Sequence, residues 1–185
     1  MSIRRACRQA GISLIELVMF IVIVGLAIAG VLLVMNVTTK SSADPLLRKQ
    51  AIATAESLLE EIELQPFTFC FPTDANATTA TSSAGCASAA NSEDTLPASA
   101  RVTSPRNADN VSDYTNFSMA PIIDITGTAI GGLAAYTASV KIIQAGATFS
   151  LPVNEVLQID VRVISGNTDI TVTGYRFRSA PNAVP

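Results

Sequence analysis

Hydrophobic and polar positions divide the chain into stretches of different period. Leu17 to Met35 is an unbroken apolar run of 19 residues, counting Gly25 and Gly30. At 1.5 Å per residue it predicts about 28 Å of helix, close to the thickness of a bilayer core. Further on, "LLRKQAIATAESLLEEIELQ" puts Leu47, Ala51, Ala55, Leu58, Leu59 and Ile62 on one helical face, with Glu56, Glu60 and Glu63 mostly on the other. Helix is therefore expected from about Ile12 to Leu64. A break or kink is expected near Asp44-Pro45, where Asp44 suits an N-cap and Pro45 a first turn. Pro66 helps to end the helix.

Residues 66–118 are rich in Ala, Ser, Thr and Asn, contain Pro66, Pro72, Pro97 and Pro105, and show no period. They predict a long loop region with short strands at most, the expected exposed and variable surface. Beyond it the period becomes two. "YTASVKII" (136–143) is β-rich, and "EVLQIDVRVIS" alternates, with Leu157, Ile159, Val161 and Val163 on one side and Gln158, Asp160 and Arg162 on the other. Gly166-Asn167 predicts a hairpin turn into "ITVTGYRF". After Gly174 the apolar side shifts to Tyr175 and Phe177, so a bulge is expected at Gly174. "SMAPIIDITGT" adds a possible edge strand after Pro121. The fold class is α+β, with antiparallel sheet over 119–185.

Charge adds a direction. Before Glu16 the only charged residues are Arg4, Arg5 and Arg8. Arginines ahead of an apolar run predict a cytoplasmic N-terminus and an exported C-terminal domain. Residues 12–185 keep 9 Lys and Arg against all 15 Asp and Glu, a net charge of −6. That balance argues against a nucleic-acid-binding surface. With Cys7 in the basic leader, Cys70 and Cys86 form an even pair in an oxidising compartment. They predict a disulfide closing a 17-residue loop, worth about 3 kcal/mol in the chain-entropy model, with two unpaired thiols as the alternative.

Catalytic chemistry has little support. The chain contains no His, which excludes Ser-His-Asp and Cys-His arrangements, and a zinc site would need His or more Cys. Glu60, Glu61 and Glu63 read as a solvated helix face. "NADNVSD" (107–113) spaces oxygen ligands as calcium loops do, but lacks the glycine and terminal Glu of an EF-hand. The N-x-S/T triplets at Asn36, Asn76, Asn110 and Asn116 match a glycosylation pattern to which no role is given. No metal and no cofactor is expected.

Glu16 stands out. A charge in an apolar span costs about 2.5–3.5 kcal/mol on an insertion scale, and a plain anchor has no use for it. A cleaved secretory signal ending near "SSA" (41–43) has the opposite difficulty: its apolar core should be about 7–15 residues. "GISLIELV" closely resembles the type IV prepilin signal, in which a short basic leader ends in Gly and Glu occupies the fifth mature position. The matching residues are Gly11, Ile12, Ser13 and Glu16, over roughly residues 4–37. Ile12 departs from the Phe that most members carry. The resemblance implies a leader over 1–11, cut by a prepilin peptidase between Gly11 and Ile12, and N-methylation of Ile12. It implies a transmembrane and assembly helix over 12–37, an amphipathic continuation over 38–65, and a head formed by 66–118 and 119–185. The implied fold is type IV pilin-like, with the amphipathic half of the helix packed on the sheet.

The family's partners are the peptidase, inner-membrane lipid before assembly, and other pilin subunits, whose Ile12 ammonium would pair with Glu16. "SSADPLLRKQAIATAESLLEEI", the cysteines after the helix and "DNVSDYTNFSM" further resemble minor pilins of the mannose-sensitive haemagglutinin type, the MshD group. The implied location is the bacterial inner membrane, with the head periplasmic, and then the extracellular pilus. A minor pseudopilin of a type II secretion system and a non-polymerising membrane-anchored binding domain are the alternatives.

Overall fold

A computed structural model describes residues 11–103 and 106–183, with the side chains of 37–44 outside the described set. Residues 1–10, which make up most of the expected leader over 1–11, lie outside it as well. The chain divides into two compact units, residues 1–45 and 46–185, considered separately below.

One α-helix, α1, is assigned from Leu14 to Glu63. Its first part, Leu14–Asn36, is long and apolar enough to cross a membrane, as a membrane anchor or a signal sequence would be. Its side chains are exposed almost throughout. The expected break at Asp44-Pro45 is absent from the secondary structure, and Pro45 lies inside the helix. A proline removes one helical hydrogen bond, and the boundary between the two compact units falls at this residue.

In the second unit α1 buries Ala51, Ala55, Leu58, Leu59 and Ile62, the face expected from the 3.6-residue period. That face joins a core with Val140, Ile142, Ile159, Val161 and Val163 of the sheet. The sheet is an antiparallel meander of β1 (Ser118–Met119), β2 (Thr137–Gln144), β3 (Val156–Ser165) and β4 (Thr168–Phe177), in that spatial order. Gly166 and Asn167 join β3 to β4 with Ser165 opposite Thr168. Only Gly166 has a positive φ, +56°, the φ pattern of a type II′ turn.

Two strand expectations need correction. The edge strand near Pro121 lies instead at Ser118–Met119, before the proline, and only an isolated bridge joins Ile123 to Ala129. No bulge occurs at Gly174: Ile159 pairs with Gly174 and Gln158 with Tyr175, in register with the rest of β4. The strand alternates without a slip, so Gly174 faces α1 while Tyr175 and Phe177 face outward. There they meet Phe149 edge-on, with ring centroids 5.2 and 5.1 Å away. A Cβ on Gly174 would overlap Glu63 Oε1 and come within 2.9 Å of Leu59 Cδ1, so glycine marks the close approach of helix and strand.

The 66–118 region contains short 3₁₀ turns (83–85, 89–91 and 111–114) and a Cys70–Ser92 bridge. It is packed rather than only exposed. Val111, Tyr114 and Phe117 enter the main core, and Cys70, Ala77 and Ala80 form a second small one.

Candidate functional site

The N-terminal positions singled out in the sequence lie at the start of α1. Gly11, Ile12 and Ser13 precede the helix, and the Leu17 N–H donates to Ser13 O at 3.1 Å. Glu16 falls in the first turn, where a carboxylate complements the positive end of the helix dipole. It is exposed, it is the one charge within Leu14–Asn36, and it makes no hydrogen bond or ion pair among the described residues. Ile12 is 74% exposed. Nothing lies within 4 Å of where a Cβ would stand on Gly11, Gly25 or Gly30. Among the described residues, Leu14–Asn36 therefore presents an apolar rod with a single carboxylate that has no side-chain partner.

Cys70 and Cys86 form the expected disulfide, with Cα atoms 5.6 Å apart. Asp74 organises the loop they enclose. Its carboxylate accepts from the backbone N–H groups of Ala87 (2.9 Å) and Asn76 (2.8 Å), from Asn91 Nδ2 (2.8 Å) and from the N–H of Ser88 (3.3 Å). These donors, Ala87 and Asn76 foremost, hold its pKa down at about 2.

The chain's C-terminal segment anchors the same lobe. Arg178, wholly buried at its side chain, donates from Nη2 to Asp94 at 2.7 Å and from Nη1 to Glu155 at 3.4 Å. Its guanidinium lies 4.2 Å from the Phe67 ring centre and 4.9 Å from that of Phe69. Asn182 Nδ2 donates to the carbonyls of Ala77 and Ala80.

The glutamates at the end of α1 separate in role. Glu60 is exposed, as expected for a solvated face. Glu61 is not: Tyr114 donates to its Oε1 at 2.6 Å, and Arg106 Nε approaches the same atom to 2.7 Å in a charge contact without hydrogen-bond geometry. Beside this pair a groove of about 400 Å³ runs between Leu58 of the helix and Met119, Ile122, Ile123 and Ile130.

The side-chain oxygens of Asn107, Asn110 and Asp113 accept hydrogen bonds within the protein. Asn110 and Asp113 form a capping box on the 111–114 turn, and Asp113 also accepts from Arg101 Nε at 2.6 Å. Asn107 Oδ1 accepts from Thr103. The amides of Asn76, Asn110 and Asn116 likewise donate internally, to Gly85 O, Thr68 Oγ1 and Ala98 O.

Sequence reasoning passed over Glu93, Asp94, Arg101, Arg106 and Arg178. Their partners lie at separations without a period, from 8 residues for Arg101 with Glu93 to 84 for Arg178 with Asp94. The one usable signal was that charges are few in 66–118, so each is a candidate for pairing. No family model matches the chain, and no curated protein or solved structure matches it.

Proposed function

We propose that the chain is a type IV prepilin-like structural subunit of a pilus, with no catalytic activity. Glu16 carries this reading: a lone exposed carboxylate in the first turn of an exposed apolar helix. Such a helix is stable in lipid or against other helices, not in water. A prepilin peptidase cuts after Gly11, leaving an ammonium on Ile12 that is then methylated. In the assembled fibre that ammonium leaves water, and a buried charge is costly unless paired. Glu16, four residues on, pairs with the Ile12 ammonium of a neighbouring subunit and sets the axial register. Before assembly the helix resides in the inner membrane with the head in the periplasm.

Within this reading the chain is a minor pilin, and an adhesive role suits it. The two cysteines that follow the helix, the packed 66–118 region and the faint likeness to the MshD group support that choice. The test is the N-terminus and intact mass of the protein from its native cells. A start at Ile12 carrying one methyl group is expected, whereas an intact Met1 or a start at Asp44 refutes the reading. Glu16→Val is expected to insert in the membrane but to lose incorporation into fibres. Unchanged incorporation would refute the pairing role of Glu16, and absence of the wild-type chain from fibres would leave a non-polymerising anchored domain.

A further inference from the structure

We propose that Glu93, Arg101, Ser112 and Asp113 form a proton-operated clasp on the head: it holds the stretches 93–103 and 106–113 closed when Glu93 is protonated and loosens them when Glu93 ionises. The Glu93 side chain is 0% exposed. Its Oε2 accepts from Arg101 Nη2 at 2.7 Å and from Ser112 Oγ, while its Oε1 is buried without any partner. Arg101 is the cation in contact with it, and that cation is shared. Arg101 Nε donates to Asp113, whose other oxygen takes the N–H groups of Asp109 and Asn110. Two anions thus divide one guanidinium, which is itself 31% exposed and stacked 4.4 Å over Phe71.

The surrounding charges offer no further compensation. On the same loop the Asp109 carboxylate, pushed up to about 6 by burial and by Asp113, adds negative charge beside Asp113 at pH 7 and takes up a proton within the same window. From α1, Glu61 is matched by Arg106 and reaches this region only through the Tyr114 hydroxyl. Next along the chain, Asp94 is held with Glu155 by Arg178. Ionised Glu93 is therefore the surplus buried charge.

Burial pushes its pKa up to about 7 from 4.5, against the pull of Ser112 and Arg101. In the released segment the carboxyl returns towards its ordinary value. Between these values the closed form holds a proton that the open form lacks. Closing thus strengthens as pH falls, by about fivefold from pH 7 to pH 6 and about fortyfold from pH 7 to pH 5.

The test is hydrogen–deuterium exchange on the full chain in detergent micelles, corrected for intrinsic exchange, with 156–177 as internal reference. Protection of 93–113 relative to β3–β4 is expected to rise at least about fortyfold from pH 7 to pH 5. Glu93→Gln, neutral at every pH, is expected to stay closed and lose the larger part of the dependence, leaving the Asp109 share, while Asp109→Asn retains the Glu93 part. The clasp is overturned if Glu93→Gln keeps the wild-type dependence, or if 93–113 and β3–β4 change together. Should Glu93→Gln not fold, the carboxyl ¹³C shift of Glu93 in the wild type decides: a midpoint near 7 supports the clasp, and one at the ordinary glutamate value removes it.

Discussion

Replacing Gly174 with alanine adds one methyl group at the closest approach of helix and sheet. That methyl would overlap Glu63 Oε1 and stand 2.9 and 3.1 Å from the two terminal carbons of Leu59. Ordinary carbon–carbon contact is about 3.5–4.0 Å. The Glu63 carboxylate is the far end of a flexible side chain and can swing aside. Leu59 cannot move as easily, because it is part of the main core. Overpacking of this size costs about 1–3 kcal/mol. Alanine returns about 0.4–1 kcal/mol by narrowing the unfolded ensemble. Gly174 has no positive φ, so backbone strain adds nothing.

The net expectation for Gly174→Ala is a loss of about 1–2 kcal/mol, or a fall of about 3–6 °C in the Tm of the head. Gly174→Val should cost more, because its two further methyl groups meet the same Leu59. Thermal unfolding of the full chain in micelles, followed by near-ultraviolet circular dichroism, measures both. In a Leu59→Ala background the added methyl has room, so Gly174→Ala should become neutral or stabilising there. A neutral Gly174→Ala in the wild type, or the same cost in both backgrounds, would refute the steric account.

Other predictions concern the lobe that follows the helix. Cys86→Ser opens the loop between cysteines 16 apart and should cost about 3 kcal/mol in urea unfolding. Reductant on the wild type should reproduce that loss, and an unchanged midpoint would show that the cross-link adds nothing. Arg178→Ala strands Asp94 and Glu155 and should cost about 3–5 kcal/mol. Arg178→Lys keeps the charge without the planar fork and should recover only part of it, so full recovery by Lys would argue against the stack on Phe67 and Phe69. Asp74, held at about 2 by its backbone donors, binds protons less readily folded than unfolded. Its contribution is complete above its ordinary pKa of 3.8 and is lost as pH falls towards 2. Asp74→Asn should therefore flatten the acid side of the stability curve in that window, and an unaltered acid limb would count against its role.

The sequence made the repetitive elements legible for a physical reason. Burial on one face imposes a period, and Ala51, Ala55, Leu58, Leu59 and Ile62 carry it for the helix as Ile159, Val161 and Val163 do for β3. Gly166-Asn167 added the turn. Gly174 misled because the apolar side changes at Tyr175. That change came from an outward aromatic cluster with Phe149, which leaves no local mark. Near Pro45 the helix assignment continues without the expected interruption, although the boundary between the two compact units lies there. At the candidate site, Cys70 with Cys86 could be read from compartment and parity. Glu16 could be read because a charge in an apolar run has no background to hide in. Arg178 with Asp94, or Glu93 with Arg101, could not, since no periodicity links residues whose contact is made by the fold.

The anchoring of the 67–94 lobe by Arg178 also sets an order in time. A chain made from its N-terminus exposes Cys70 and Cys86 well before Arg178, which follows Cys86 by 92 residues. At about 5–20 residues per second that delay is on the order of 5–20 s. During it, Phe67 and Phe69 lack the guanidinium that covers them and Asp94 lacks its counter-ion. Cys70 and Cys86 lie close in sequence and can be joined before that partner emerges. Oxidation of the lobe can therefore precede its docking, and a chain stalled or cut before Arg178 would carry a closed loop with its aromatic face still open.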